Sequence, residues 1–142
     1  MTDNSITTIS EIEHKIKQAA ELTDNKQFTS AAELLDSIDA TTPITTEMHY
    51  NVGLLYGKCL IENIAVKEMW DDQTDCELLF EAAVAHYKKA IDISSDFVGA
   101  YNNLARIYAV MGHTDEAREY FQQSLEIDSQ QKDALEDLKN LD

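Results

Sequence analysis

Apolar residues recur along most of this chain at intervals of three and four, which places them on one side of successive α-helices. The pattern is clearest over 98–131. There Tyr101, Leu104, Ala105 and Tyr108 share one helical face, Gly112 and His113 interrupt it, and Ala117, Phe121, Ser124 and Leu125 resume it. Two short amphipathic helices joined by a tight turn satisfy that spacing. Upstream, Ile9, Ile12, Ile16, Ala19 and Leu22 predict a helix over 9–23. Thr8 with Glu11 forms a capping box at its start, and 1–7 is read as a disordered polar tail. A second helix over 28–38 carries Ala31, Leu34, Leu35 and Ile38, and Pro43 stops it from continuing.

From residue 46 the pattern runs long. His49, Val52, Gly53 and Tyr56 are followed in phase by Leu60, Ile61, Ile64, Ala65 and Met69. This predicts one helix over 46–70, roughly 37 Å at 1.5 Å per residue. The polar stretch 71–75 is the turn, and Thr74 with Glu77 reads as a further capping box. A helix over 75–93 follows, with Cys76, Leu79, Phe80, Ala83, Tyr87, Ala90 and Ile91 inward. The last segment, 132–141, repeats the helical spacing at Ala134, Leu135, Leu138 and Leu141.

The order of residues over 98–131 resembles a tetratricopeptide (TPR) unit, in which W-x2-L-G-x2-Y is followed by A-x3-F and then P over 34 residues. Tyr101 stands in the Trp place, Ala105 in the Gly place and Ser129 in the Pro place. The same register recurs. His49, Val52, Gly53 and Tyr56 match the first helix, and Ala83, Tyr87, Ala90 and Ile91 the second. Ala31, Leu35 and Pro43 mark a degenerate first unit, in which Gln18 takes the Leu place. Tyr56 to Ala83 spans 27 positions where Tyr108 to Ala117 spans nine, so the middle unit holds 18 extra residues.

The resemblance therefore implies an all-α solenoid of antiparallel helix pairs in a single domain, 8–142. Its three repeats are 12–45, 46–97 with the insertion drawn out as an extended hairpin, and 98–131. A C-terminal capping helix covers the last exposed face. A glycine within a helix costs roughly 1 kcal/mol relative to alanine, so Gly53 calls for a close helix approach.

Composition narrows the function. With 27 acidic and 11 basic residues the formal charge is −16. Such a field disfavours nucleic acid and anionic membrane and favours neutral or basic protein partners. No apolar run reaches the roughly 20 residues a membrane span needs, and none resembles a signal peptide, so a cytoplasmic protein is expected. Cys59 and Cys76 are too few for a disulfide scaffold and are read as buried thiols. His14, His49, His86 and His113 lie far apart in the chain with no metal-ligand spacing. No phosphate loop occurs either. The reading is a non-catalytic protein without metal or cofactor, and a metal-dependent enzyme using Cys59, Cys76 or His86 is the remote alternative.

In TPR proteins the concave groove is lined by the first helix of each repeat. Carried over, those places hold Glu13, Ile16, Ala20 and Thr23, then Glu47, Tyr50, Leu54, Gly57 and Lys58, then Gly99, Asn102, Arg106, Ala109 and Val110, with Asn51 and Asn103 alongside. Amide, aromatic, aliphatic and cationic groups in this mixture suit a peptide or helix; the alternatives are that they are ordinary exposed helix residues or that the capping helix fills the groove. Arg106 with Asn102 is expected to hold a carboxylate or carbonyl while Tyr50 and Leu54 take an apolar side chain; the competing reading pairs Arg106 with a carboxylate of its own chain. The carboxylate-clamp subtype is not expected, because Ile16, Ala20, Gly99 and Asn103 occupy its other places and only Asn51 matches. Trp70, at the hairpin tip, is either a partner anchor or a cap on the hairpin's own core. Self-association through the 59–80 hairpin, giving a homo-oligomer, is the alternative to an adaptor, scaffold or small-chaperone role.

Overall fold

The computed structural model describes the backbone of residues 4–67 and 74–141, and side chains over 9–65 and 76–141. Among these residues there are seven helices and no strand: α1 (Asn4–Asp24), α2 (Phe28–Leu35), α3 (Thr46–Lys67), α4 (Thr74–Ile93), α5 (Val98–Val110), α6 (Thr114–Ile127) and α7 (Lys132–Lys139). Consecutive helices pair as α1 with α2, α3 with α4, and α5 with α6, and α7 packs on α6. Because α1 also touches α3, and α3 touches α5, the first helices of the pairs form one continuous face.

Two of the tight turns are built alike. At α5–α6, Gly112 has φ of +82°, its N–H reaches the Ala109 carbonyl at 3.0 Å, and His113 N–H reaches Tyr108 O at 2.8 Å. At α1–α2, Lys26 has φ of +62°, its N–H reaches Thr23 O at 3.0 Å, and Gln27 N–H reaches Leu22 O at 2.8 Å. Both are Schellman closures, which satisfy the carbonyls orphaned at a helix C-terminus. Glycine adopts the left-handed conformation freely; Lys26 adopts it against steric resistance from its Cβ.

The core runs through the α3–α4 pair. Val52, Leu60, Ala83, Ala90, Ala100 and Leu104 are fully buried, and Tyr87 is 1% exposed. At Gly53 the Tyr87 ring of α4 lies directly against the backbone of α3. A Cβ built on it lies 2.8–3.0 Å from three ring carbons of Tyr87, so only glycine fits beneath the ring. Ala105 is fully buried against Phe121 and Ala134 in the C-terminal part of the core. Tyr101, in the Trp place, buries its ring and donates its hydroxyl to the Ser95 carbonyl at 2.8 Å, fixing the loop that enters α5.

Several boundaries differ from the sequence reading. α1 begins at Asn4, so Thr8 and Glu11 lie inside the helix and do not cap it, and residues 4–7 of the expected tail are helical. Ile9, expected inward, is 40% exposed. α2 ends at Leu35, although Ile38 is still buried through a turn closed by its N–H on Leu35 O at 2.8 Å. The inserted residues are helical to Lys67 and again from Thr74. Met69 and Trp70 lie outside the described residues, and with them the expected end of that helix.

Candidate functional site

The expected groove residues fall into two groups on the face formed by α1, α3 and α5. In the first, a cleft of about 590 Å³ opens between α1 and α3. Asn51, Leu54 and Lys58 line one wall, Glu13, Ile16 and Ala20 the other, and Met48 and Leu55 lie at its base. Lys17 and Lys58 balance Glu13 and Glu47, so the cleft carries no net formal charge. Helical spacing explains the grouping: residues 51, 54, 55 and 58 share a face of α3, as 13, 16, 17 and 20 do of α1.

The second group is already engaged within the chain. Asn103 Nδ2 donates to Tyr50 Oη at 2.8 Å and to Gly99 O at 3.0 Å. Arg106 Nη1 donates to Asn103 Oδ1 at 3.3 Å, and Arg106 Nε to Asp137 Oδ2 at 2.8 Å. Asn102 Nδ2 donates to Gln131 Oε1 at 2.7 Å, while its own Oδ1 is buried without a partner. The Tyr50 ring packs edge-on against Phe97, centroids 4.8 Å apart, and its hydroxyl lies 3.3 Å from where a Cβ on Gly99 would stand. Tyr50 is therefore turned toward Tyr87, Phe97 and Asn103 and is not among the residues that line the α1–α3 cleft. The carboxylate that meets Arg106 is Asp137 of α7.

Gln131 extends this arrangement. Its Nε2 lies within 2.9–3.1 Å of Ser124 O, Ser124 Oγ and Asp128 O, covering acceptors at the end of α6. The C-terminal helix is thus joined both to α6 and to the inner residues of α5.

The sequence reading missed one contact. His49 and His86 are not far apart in space: their Nδ1 atoms are 3.0 Å apart, with the side chains 0% and 2% exposed. His86 Nε2 lies 2.9 Å from the Ile38 carbonyl, which can only accept, so the His86 proton is on Nε2 and its Nδ1 is an acceptor. His49 Nδ1–H must then donate, which leaves His49 Nε2 as a buried lone pair without a partner. Burial lowers the affinity of both rings for a second proton. His86 falls to about 4, helped by the neighbouring His49, and His49 is lowered too, against the Thr42 backbone and with Lys89 nearby. The clue was His49 in the Trp place, a polar ring where the register demands a core residue.

Cys59 and Cys76 are buried and free, and burial pushes the Cys59 thiol up to about 11. His113 stacks on Phe80 at 5.6 Å, and His14 is exposed. Among the described residues no three His, Cys, Asp or Glu side chains are placed to hold a metal, and no helix is long and apolar enough to cross a membrane.

Comparison with known proteins agrees with this architecture. A family model for the tetratricopeptide repeat matches residues 79–141. The human Protein IFIT1 homolog B is 31% identical over 130 residues, covering 87% of this chain and 27% of that protein. The human antiviral innate immune response effector IFIT1 is 29% identical over 101 residues, 67% of this chain and 20% of that protein. The chain thus spans about a quarter of the length of these relatives. Two crystal structures of MamA share the fold, with TM-scores of 0.61 and 0.62 at 21% and 19% identity. They cover 92% and 96% of this chain, which covers 61% and 72% of theirs. The repeated register, the paired helices and the family match from within α4 to residue 141 lead to one assignment: residues 79–141 are tetratricopeptide repeats, in a chain that has the tetratricopeptide-repeat fold.

Proposed function

We propose that this repeat domain is a non-catalytic protein-interaction module whose ligand, a peptide or helix of a partner protein, lies in the cleft between α1 and α3. The observation that carries this reading is the convergence of Asn51, Leu54 and Lys58 with Ile16 and Ala20 around about 590 Å³ of open space. Leu54 is the apolar contact, Asn51 offers an amide for a peptide backbone, and Lys58 supplies a cation at the rim. Beside the cleft, Tyr50, Asn103 and Arg106 hold α3 against α5. An adaptor, scaffold or small-chaperone role follows from such a surface.

The test is capture from the native cell by the full chain, followed by affinity measurement on the captured protein. Leu54→Glu should lower affinity at least about tenfold, as central apolar contacts do. Ile127→Glu, at an exposed site on α6, should leave it unchanged. Intact affinity in Leu54→Glu, with its melting temperature preserved, overturns the reading.

A further inference from the structure

A second cleft, of about 480 Å³, lies away from the α1–α3 face and exists because the middle helix pair outruns its neighbour. α2 begins at Phe28, whose carbonyl sits 3.6 Å from Cys59 Sγ. Past that level α3 continues to Lys67 alongside α4. One wall is therefore α2, with Phe28 and Ala32, and the other is the inserted part of the α3–α4 pair, with Leu78 and Leu79. Leu78 is 60% exposed, and Ile61, one helical position before the lining residue Glu62, is 55% exposed.

The polar residues around these apolar walls are one-sided. Glu33, Asp36 and Glu62 face a single cation, Lys26. Asp36 also accepts the Tyr56 hydroxyl at 2.7 Å. The α1–α3 cleft, by contrast, is balanced.

We infer that this cleft binds an amphipathic segment of a second protein, an apolar side chain entering between Phe28 and Leu79 with lysine or arginine beside it at Glu33 and Glu62. Charge complementarity selects that occupant. The walls reward an apolar group, the rim rewards a cation, and the overall charge of −16 brings basic partners in. A second copy of this chain is disfavoured on the same ground, because it meets an acidic rim with an acidic surface. The inference is independent of the groove reading, since the two clefts share no lining residue.

The probes are two synthetic peptides of equal length, one of leucine and lysine in helical alternation and one of leucine and glutamate. Binding to the full chain is measured by titration calorimetry in about 0.15 M salt, where long-range attraction is screened beyond about 8 Å. The contact is mapped by amide chemical shifts. The leucine–lysine peptide should bind and move the amides of Phe28, Ala32 and Leu79, and the leucine–glutamate peptide should not bind. Glu33→Lys with Glu62→Lys should weaken binding at least about tenfold, while Glu116→Lys with Glu126→Lys, an equal charge change on exposed α6, should change it less than about twofold. Both pairs are surface substitutions, and circular dichroism confirms that each variant folds. Three results overturn the inference: equal loss from both charge reversals, shifts confined to Asn51 and Leu54, or no binding by the leucine–lysine peptide. A sedimentation change on Leu78→Ser without loss of peptide affinity assigns the surface to self-association and overturns it too.

Discussion

Acid should loosen this fold in a pH window that the buried histidine pair defines. In the folded chain His86 holds a second proton only near pH 4, whereas an unfolded histidine does so near its ordinary 6.5. Above about pH 6.5 neither state is protonated and stability is at its full value. As pH falls toward 4 the unfolded chain takes up a proton that the folded chain refuses, and stability declines by up to about 1.4 kcal/mol per pH unit. Over the whole window the loss from His86 is on the order of 3 kcal/mol, a large part of the roughly 5–15 kcal/mol typical of a domain. His49, also lowered, steepens the decline.

The surroundings do not cancel this effect. Tyr56 stacks on His86 with centroids 6.0 Å apart and remains neutral, its hydroxyl pushed far up by burial and then by Asp36. Lys89 opposes a charge on His49, and Asp39, which favours one on His86, is itself held below the usual carboxylate range by its hydrogen bonds from Thr41. Ordinary carboxylates titrate near and below 4, so the interval from 6.5 to about 4.5 belongs to the histidines. Urea denaturation at half-unit pH steps gives the slope directly. His86→Gln, which keeps an N–H for the Ile38 carbonyl and cannot titrate, should flatten it. A flat profile in the parent chain, or an undiminished slope in the variant, refutes the argument.

Three further substitutions probe the packing. Gly53→Ala drives a methyl into the Tyr87 ring at 2.8 Å, and overpacking of about 1–3 kcal/mol should outweigh the roughly 1 kcal/mol gain in helix propensity, giving a lower melting temperature. Lys26→Gly removes the Cβ from a residue with φ of +62° and should raise the urea midpoint, by about 0.5–1 kcal/mol in stability; a lower midpoint contradicts the turn geometry. Arg106→Ala breaks an ion pair whose side chains are 42% and 36% exposed, so thermal unfolding should register no more than about 1 kcal/mol.

Much of this fold was legible in the chain because one register recurs. Gly53 and Ala105 mark the places where bulk is excluded, and Gly112 marks a turn that needs a left-handed residue. The first turn was harder to see, since Lys26 does the same task without the residue type that announces it. The start of α1 was misread because the Thr8–Glu11 spacing of a capping box also occurs inside a helix that is already under way at Asn4. Ile9 keeps the helical spacing of Ile12 and Ile16, but an eight-residue α2 is too short to cover a 21-residue α1. Periodicity also says which residues face inward without saying which meet. His49 and His86 are 37 positions apart, and Arg106 finds its carboxylate 31 positions on, on the C-terminal helix. The cleft beside α2 depends on where one helix stops and another does not, a difference in length that no motif encodes.

The run from Tyr50 through Asn103 and Arg106 to Asp137 has a mechanical meaning. Repeat solenoids behave as stacked springs in which each unit feels only its neighbours, so their curvature is soft. Here a continuous string of polar links joins α3, α5 and α7 along one side of the stack, crossing two joints in succession. A stack laced on one side resists spreading there while remaining free to flex on the other. Bending should thus acquire a preferred direction, and an Asp137→Ala variant, which cuts the last link, should bring faster amide exchange on that side of α5.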